Sequence, residues 1–548
     1  MLRRWLAPLS GYAAAAVGLT WPLAAHLSSR LPLGTEDTAT VPQFNLWTMQ
    51  WNGNRVAHLY SGYWDAPIFH PTRGAFALSD PQPLTGAVAA VLHVVVGNDV
   101  AVYGLVLLGA LVLDGLGAMV LVGRFGVPRP AAWLTGLLAL GLPFVFHELG
   151  VLQLAMIFPF FFALVALHDL GTAPSVGTGV RLGLWTGVAF LTSEYYGLFL
   201  LVVLAVGVPI VLGRRIGERV VIGSLLAAVG IAALLSVPML IPQAHFTERY
   251  RWTTATVEEN SAALGDYADL DADALGARFA PWLRSDTGEH LYPGTGLEVL
   301  AVAGFAVTWS AGRRRWAAFL GAGALIGVVL SLGLRLEIGG FAPYSVLRDH
   351  VPGFSRLRSP FRFAVVVQVL LVALAGFAVG RVWTWRGRIG QVAASLVVAI
   401  ALLEVAILPT SLAAPLPDFA ATGWVRFLRS HQGGAVAMVP FPATNAVEDY
   451  EPSTEAMLAA RVHGHPLVNG YSGFFPTQYS DLREVMQGFP AQGVASLRVR
   501  GVRWVVIDRR WFVTGPADEL AATSGLTRAF ADRRAVVYRL SASAGAVG

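Results

Sequence analysis

The chain has 548 residues, of which 55% are hydrophobic and only 13% are charged, and its mean hydropathy is +0.58. This composition lies far outside that of soluble globular proteins and indicates a polytopic membrane protein. The sequence has no cysteine, which excludes disulfides, thiolate metal sites and a cysteine nucleophile, and its net charge of +5 is too small to indicate nucleic-acid binding.

Apolar segments of about 20 residues predict an all-α membrane protein with about eleven transmembrane helices. The predicted spans are 8–27, 99–122, 130–146, 149–168, 178–193, 196–212, 220–241, 295–311, 316–334, 361–380 and 389–408. The segment 84–96 is shorter, and we expect it to form an interfacial helix on the outer face. If this segment crossed the membrane, every later connection would lie on the opposite side, which would contradict the pattern of arginine-rich connections.

Arginine-rich connections predict the orientation of the chain. The connections "GRFGVPRP", "GRRIGER", "GRRRW" and "RVWTWRGR" fall on the same side as Arg3 and Arg4. Because basic residues in short loops resist translocation, this side is predicted to be cytoplasmic. We therefore expect a multi-pass protein of the bacterial cytoplasmic (inner) membrane with a cytoplasmic N-terminus.

Two domains are predicted from the change in composition after the last span. Residues 1–408 form the transmembrane domain, which includes the long outer loops 28–98 and 242–294. Residues 409–548 are predicted to form a small extracytoplasmic α/β domain, because "AVAMVPF" and "VRWVVID" alternate as strands do and "WVRFLRS" is typical of a short helix.

Two adjacent acids, Glu36 and Asp37, stand in the first outer loop. They precede Phe44, Trp47 and Trp51, whose spacing predicts a helix that lies on the bilayer with an aromatic face. An acid pair beside such a helix suits a lipid-borne substrate. The alternative is that this stretch only caps the positive end of the helix.

Several short motifs occur in an order that resembles the GT-C superfamily of membrane glycosyltransferases, and in particular its YfhO-like and protein-mannosyltransferase-like bacterial groups. These motifs are "GTEDT", "YWDAPIFHPTRGAFALSDPQPLTG", "FHELGVLQL", "LTSEYYGLFL", "EHLYPGTGLEVLAV", "PGFSRLRSPFRF" and "NGYSGFFP". The resemblance implies a polyprenyl-phosphate sugar donor and a catalytic acid in the first outer loop, for which Asp37 is the candidate base. Where the related proteins have Gly-Asp, this chain has Gly34 followed by Thr35 and Glu36, so Glu36 and Asp37 both stay candidates.

Three arginines crowd the predicted outer end of a span. Arg356, Arg358 and Arg362 lie in "SRLRSPFRF", on the side where basic residues are least expected. Because guanidinium groups match phosphate oxygens in two-point contacts, we expect them to bind the donor phosphate. The alternatives are anchoring to lipid headgroups and pairing with outer acids.

Polar residues in two short outer turns are further candidates for substrate binding. His147 and Glu148 lie in one turn, and Glu194 and Tyr195 lie in the next. Glu148 could support the base, bind a metal or contact sugar hydroxyls, although one His–Glu pair is weak evidence for a metal. Tyr195 also fits the interfacial aromatic belt.

The end of the second long loop is predicted to cover the site. Glu289, His290 and Tyr292 stand there, just before the span 295–311. A plain turn at Pro293 and the following glycine is the alternative explanation for this motif.

The sequence therefore predicts an integral membrane glycosyltransferase that moves a sugar from a lipid-linked donor to a glycan, lipid or protein outside the membrane. No further cofactor is assigned; a divalent metal is the open alternative, and no nucleic-acid partner is expected. Two other function classes are a transporter or flippase, and a non-catalytic scaffold with a glycan-binding outer domain. The transporter is disfavoured because the chain lacks two matching halves.

Overall fold

Long apolar helices make up most of the chain. The structure, a computed structural model that describes residues 3–284, 288–511 and 525–541, has a helix within each of the eleven predicted spans. By length and composition, eight helical segments of these described residues could cross a membrane. The protein is therefore multi-pass, whereas the count of eleven spans stays a prediction.

The residues divide by their contacts into two units, which are described separately. The first unit comprises Met1–Leu27, Gln82–Thr85 and Ala101–Leu412, and the second comprises Ser28–Pro81, Gly86–Val100 and Ala413–Gly548. The helices in the predicted spans are Arg3–Leu19, Asp99–Arg124, Arg129–Leu140, Phe158–Thr172, Val176–Thr192, Glu194–Leu212, Arg219–Thr247, Thr295–Ser310, Arg314–Ser331, Ala364–Trp383 and Arg388–Val405.

Small residues allow close helix packing in the first unit. Gly179, Gly183 and Gly187 recur every fourth residue and face the helix Arg219–Thr247, whose backbone lies where a Cβ at Gly179 or Gly183 would stand. Such spacing brings two backbones together, which is how helices associate in lipid. The helix Ala364–Trp383 is almost entirely buried and is the central helix of this unit.

One segment of the first unit departs from a continuous helix. After Leu140 the chain forms the short helix Pro143–His147 and the 3₁₀ turns Glu148–Gly150 and Leu152–Ala155, before the next helix begins at Phe158. Within a membrane-spanning segment, irregular backbone is tolerated where protein covers it. These turns are mostly buried. The break places Glu148 at the centre of the segment.

Two connections of the first unit that are predicted to lie outside the membrane contain short helical turns. The second long loop has Thr254–Glu259, Leu264–Ala268, Leu275–Arg278 and Pro281–Leu283, and the connection before the central helix has Pro343–His350, Phe354–Arg356 and Pro360–Phe363. Proline at the start of several of these turns presets φ for a helical turn.

The second unit has the predicted α/β character, with a mixed four-stranded sheet. The strands are β1 (Ala435–Val439), β2 (Val502–Asp508), β3 (Leu526–Ala531) and β4 (Ala535–Leu540), in the spatial order β1-β2-β4-β3. β1 and β2 are parallel, and the other pairs are antiparallel. The helices of this unit are Thr40–Ala57, Gly423–Ser430, Glu451–His463, Thr477–Met486 and Gly493–Val499.

The first long loop is hydrogen-bonded to the C-terminal segment. The backbone N–H groups of Phe69 and His70 donate to the carbonyls of Asn469 (3.2 Å) and Leu467 (2.8 Å). Leu467 also lies beside β1. The second unit thus combines residues from both sides of the predicted boundary at 408/409.

The aromatic helix of the first loop does not present its rings to lipid, contrary to the sequence-based expectation. Phe44, Trp47 and Trp51 are buried within the second unit. Phe44 meets the ring of Tyr471 edge-on, and Trp47 packs against Phe76. Burial of these large apolar rings against other parts of the unit explains the aromatic stripe, so the prediction of a lipid-facing platform was wrong.

The segment expected to be interfacial forms the helix Pro83–Val96. Its residues Val91, Val94 and Val95 are exposed. This row of exposed apolar side chains suits the predicted contact with lipid.

Candidate active site

The arginine segment lies just before the central helix of the first unit. Phe354, Phe361 and Phe363 are buried and fix the backbone of the two 3₁₀ turns. The turns begin after Gly353, which has a φ of +95° that favours glycine. The three arginines lie between these buried phenylalanines, and their side chains reach neighbouring segments.

Two of the arginines form ion pairs with acids of the predicted site. Arg356 Nη2 lies 3.2 Å from Glu194 Oε2, and Arg362 Nη2 lies 3.3 Å from Glu148 Oε2. All four side chains are 15% exposed or less. Gln243 also donates a hydrogen bond to Glu194 Oε2 (3.1 Å). The sequence-based alternative of pairing with outer acids thus holds for Arg356 and Arg362.

Arg358 is held in a different way. Its backbone N–H donates to the hydroxyl of Tyr195 (2.9 Å), and its guanidinium lies 5.5 Å from the centre of the Trp252 ring. Trp252 in turn donates to the carbonyl of Arg356 (3.1 Å). Within the described ranges no carboxylate forms an ion pair with Arg358. Three arginines and two paired carboxylates leave one positive charge in this segment.

Tyr195 positions the same segment from the neighbouring helix. Its hydroxyl accepts a second, longer hydrogen bond from the N–H of Ser359 (3.4 Å), and the guanidinium of Arg362 lies 5.1 Å from its ring centre. Tyr195 therefore contacts the arginine segment, and the belt role considered for it stays a prediction.

Glu289 is a partly buried carboxyl close to the Arg362–Glu148 pair. The pKa of Glu289 is raised to about 7, chiefly by burial and also by the charge of Glu148, whereas Arg362 lowers it. A carboxyl that titrates near neutral pH inside such a cluster is typical of functional sites. The structure thus brings Glu289 into the electrostatic field of two residues that the sequence had singled out.

Two histidines lie next to each other and each contacts an aspartate. His147 Nε2 lies 3.5 Å from Asp271 Oδ2, and His290 Nδ1 lies 3.1 Å from Asp269 Oδ2. The two imidazole rings are 5.9 Å apart. His290 has a φ of +46°, an uncommon conformation for a residue with a side chain. The pattern "DYADLDADALG" was the only sequence signal for these aspartates, and sequence reasoning did not use it.

Tyr292 has a structural contact. Its hydroxyl donates to Glu404 Oε1 (2.8 Å), and the same carboxylate accepts the backbone N–H groups of Thr295 and Gly296 (both 2.9 Å). Glu404 thus satisfies the first N–H groups of the helix Thr295–Ser310. A substrate role for Tyr292 stays a prediction.

The acid pair of the first loop belongs to the second unit. Asp37 is exposed and Glu36 is partly buried. The following helix has Ala39 as its N-cap rather than Thr35, Glu36 or Asp37. An interaction of this stretch with the positive end of the helix stays a prediction. A catalytic role for Asp37 or Glu36 stays a prediction.

The residues that the structure describes contain no group of three or more His, Asp or Glu side chains placed to hold a metal ion. These residues therefore provide no candidate ligand set for the divalent metal that the sequence left open. Neither the His147–Asp271 pair nor the His290–Asp269 pair meets the ligand number of a protein metal site by itself.

The fold is similar to that of an arabinofuranosyltransferase of known structure. A solved structure of arabinofuranosyltransferase AftD from Mycobacteria matches 98% of this chain with a TM-score of 0.61 at 15% identity. The chain spans about 40% of that protein's length. The resemblance to the GT-C superfamily is thus confirmed at the level of the fold, and the YfhO-like subgroup stays a prediction.

The chain belongs to the family described as Domain of unknown function (DUF6311), whose model matches residues 63–405. ArnT from Cupriavidus metallidurans bound to undecaprenyl phosphate is 17% identical, with 97% of this chain and 98% of that chain covered and a TM-score of 0.48. No curated protein sequence matches the chain.

Proposed function

We propose that the protein is a membrane glycosyltransferase that moves a sugar from a polyprenyl-phosphate donor to an acceptor hydroxyl outside the membrane. The observation that carries this proposal is the positive charge left over in the arginine segment. A leaving phosphate needs fixed positive charge, and guanidinium groups supply it with matching geometry. The shared fold with an arabinofuranosyltransferase supports the same class of reaction.

Arg358 is the proposed phosphate ligand, because no described carboxylate neutralises its guanidinium. Arg356 and Arg362 hold the segment in place through Glu194 and Glu148, and they are proposed to contribute further donors to the same phosphate. An ion pair with one carboxylate uses only part of the five donors of a guanidinium.

The proposed base is Asp37 or Glu36. Its carboxylate takes the proton of the acceptor hydroxyl, and the hydroxyl oxygen forms a bond to the anomeric carbon of the sugar. The bond from that carbon to the donor phosphate breaks, and its electron pair leaves with the phosphate. One displacement of this kind inverts the anomeric configuration. The exposed position of Asp37 suits access by a glycan, lipid or protein acceptor.

His147, His290 and Glu289 are proposed to contact sugar hydroxyls. Their groups include both hydrogen-bond donors and acceptors, which a polyol requires. Tyr195 acts indirectly, by holding the backbone of Arg358. Orientation with the N-terminus in the cytoplasm of a bacterial inner membrane remains part of this proposal.

Binding of polyprenyl phosphate tests the phosphate site without knowledge of the sugar, because this product is common to every donor of the class. Native mass spectrometry of the full chain in detergent would compare wild type, Arg358→Gln and Arg348→Gln. Arg348 is a matched control, since it lies on the outer helix Pro343–His350 and contacts Thr254. We expect loss of binding only in Arg358→Gln; equal binding by all three proteins would refute the site.

Transfer assays separate the two acids and the function classes. With polyprenyl-phosphate arabinose as the first donor, chosen from the likeness to AftD, the catalytic acid should be the one whose amide variant, Asp37→Asn or Glu36→Gln, stops release of polyprenyl phosphate. A flippase would instead move the intact donor across sealed vesicles, and a scaffold would bind glycan without releasing the lipid phosphate.

A further inference from the structure

A short outer turn of the first unit exposes two large aromatic side chains. Both residues lie in the second long loop. Phe279 directly follows the 3₁₀ turn Leu275–Arg278, and Trp282 lies within the 3₁₀ turn Pro281–Leu283. These side chains are 83% and 78% exposed to solvent in the chain by itself. We call residues 275–284 the aromatic turn. Large apolar groups exposed side by side mark an interaction surface.

The aromatic turn is fixed to the end of a membrane span. The N–H of Leu275 donates to the carbonyl of Ala406 (2.9 Å), and Ala274 pairs with Ile407 in an antiparallel bridge. These partners directly follow the helix Arg388–Val405. Its 18 residues extend about 27 Å, close to the roughly 30 Å of a bilayer's hydrocarbon core. The turn therefore lies where this span leaves the hydrocarbon.

Exposed apolar residues extend along the span towards the aromatic turn. Leu396, Ile400 and Leu403 are exposed along one face of the span, with the spacing of successive helical turns. The basic residues Arg278 and Arg284 stand at the two sides of the exposed aromatics and are themselves exposed. Aromatic rings with adjacent arginines are typical of the headgroup region, where the rings sit among headgroups and the cations near phosphates.

We propose that the aromatic turn is an interfacial anchor that inserts Phe279 and Trp282 into the headgroup region of the bilayer, with Arg278 and Arg284 against lipid phosphates. The occupant is the bilayer rather than a protein, because the turn is tied by backbone hydrogen bonds to a span whose own exposed face meets lipid. The nearby acid Asp273 is exposed and lies on the loop before the turn. This inference does not depend on the proposed glycosyltransferase activity.

The absence of cysteine from the sequence makes a direct test available. A spin label on Trp282→Cys, and separately on Phe279→Cys, would be the only label in the full-length chain. The chain would be placed in nanodiscs of phosphatidylcholine and phosphatidylglycerol. The matched control is Val499→Cys, an 87% exposed apolar residue at the end of a helix in the second unit.

Accessibility of each label to oxygen and to a water-soluble nickel complex reports its depth. We expect a several-fold higher oxygen-to-nickel ratio at 279 and 282 than at 499. Equal ratios at the three positions would overturn the anchor. For the basic residues, Arg278→Gln in the Trp282→Cys background should lower the ratio, and more so in discs with phosphatidylglycerol than in discs of phosphatidylcholine alone. An unchanged ratio in both would overturn the phosphate contact.

Discussion

Glu289 should make the stability of the protein depend on pH near neutrality. The pKa of Glu289 is raised from its ordinary 4.5 to about 7, chiefly by burial. Since each tenfold change in proton affinity corresponds to about 1.4 kcal/mol, the protonated carboxyl contributes at most about 3 kcal/mol to the free energy of unfolding. Because the folded pKa is the higher one, this contribution is complete below about pH 4.5 and is lost as the pH rises through about 7.

The variant Glu289→Gln resembles the protonated form at every pH. We expect it to match wild type near pH 4.5 and to be more stable by up to about 3 kcal/mol near pH 8. Unfolding in mixed micelles of a mild detergent and dodecyl sulfate, followed by tryptophan fluorescence across this range, measures the difference. Glu258→Gln, at an exposed position of the same outer loop, is the control.

The neighbours of Glu289 provide a second check. Glu148→Gln removes a charge that raises the pKa of Glu289, so it should flatten the pH dependence. If the unfolding curves of wild type and Glu289→Gln stay parallel from about pH 5 to about pH 8, the placement of Glu289 in this buried acid–arginine cluster is refuted.

Three further predictions concern packing and ion pairing. Arg356→Gln leaves Glu194 buried without its cation and should destabilise the protein by about 3–5 kcal/mol, and adding Glu194→Gln should restore part of this loss in the same unfolding assay. Trp47→Ala opens a cavity in the second unit and should cost about 3–5 kcal/mol by denaturant unfolding, whereas a lipid-facing ring would cost far less. Gly183→Ala places a methyl group against the Ala228 carbonyl, so the variant should show a lower Tm in detergent; an unchanged Tm would contradict the close helix contact.

Periodic and local features were predictable from the sequence. Apolar segments located the helices, and the alternating "VRWVVID" located β2. These predictions are possible because the spacing of apolar residues along a helix or strand reflects which of its faces are buried. The "SRLRSPFRF" motif likewise identified the arginine segment, since three arginines so near a span end are uncommon.

Long-range partners were not predictable in the same way. The stripe of Trp47 and its neighbours indicates only that one helix face avoids water, and burial in protein or in lipid produces the same pattern. The pairs Arg356–Glu194 and Arg362–Glu148 join residues more than 150 positions apart. Nothing in either local sequence specifies which acid meets which arginine.

The composition of the second unit has a consequence for biogenesis. Residues 28–81 share a core with the segment that begins at Ala413, roughly 300 residues later. At usual rates of protein synthesis, the first loop emerges tens of seconds before its partner strands exist. Its tryptophans must stay shielded during that interval, so cells that make this protein need a chaperone or the membrane surface itself to protect the nascent loop until translation ends.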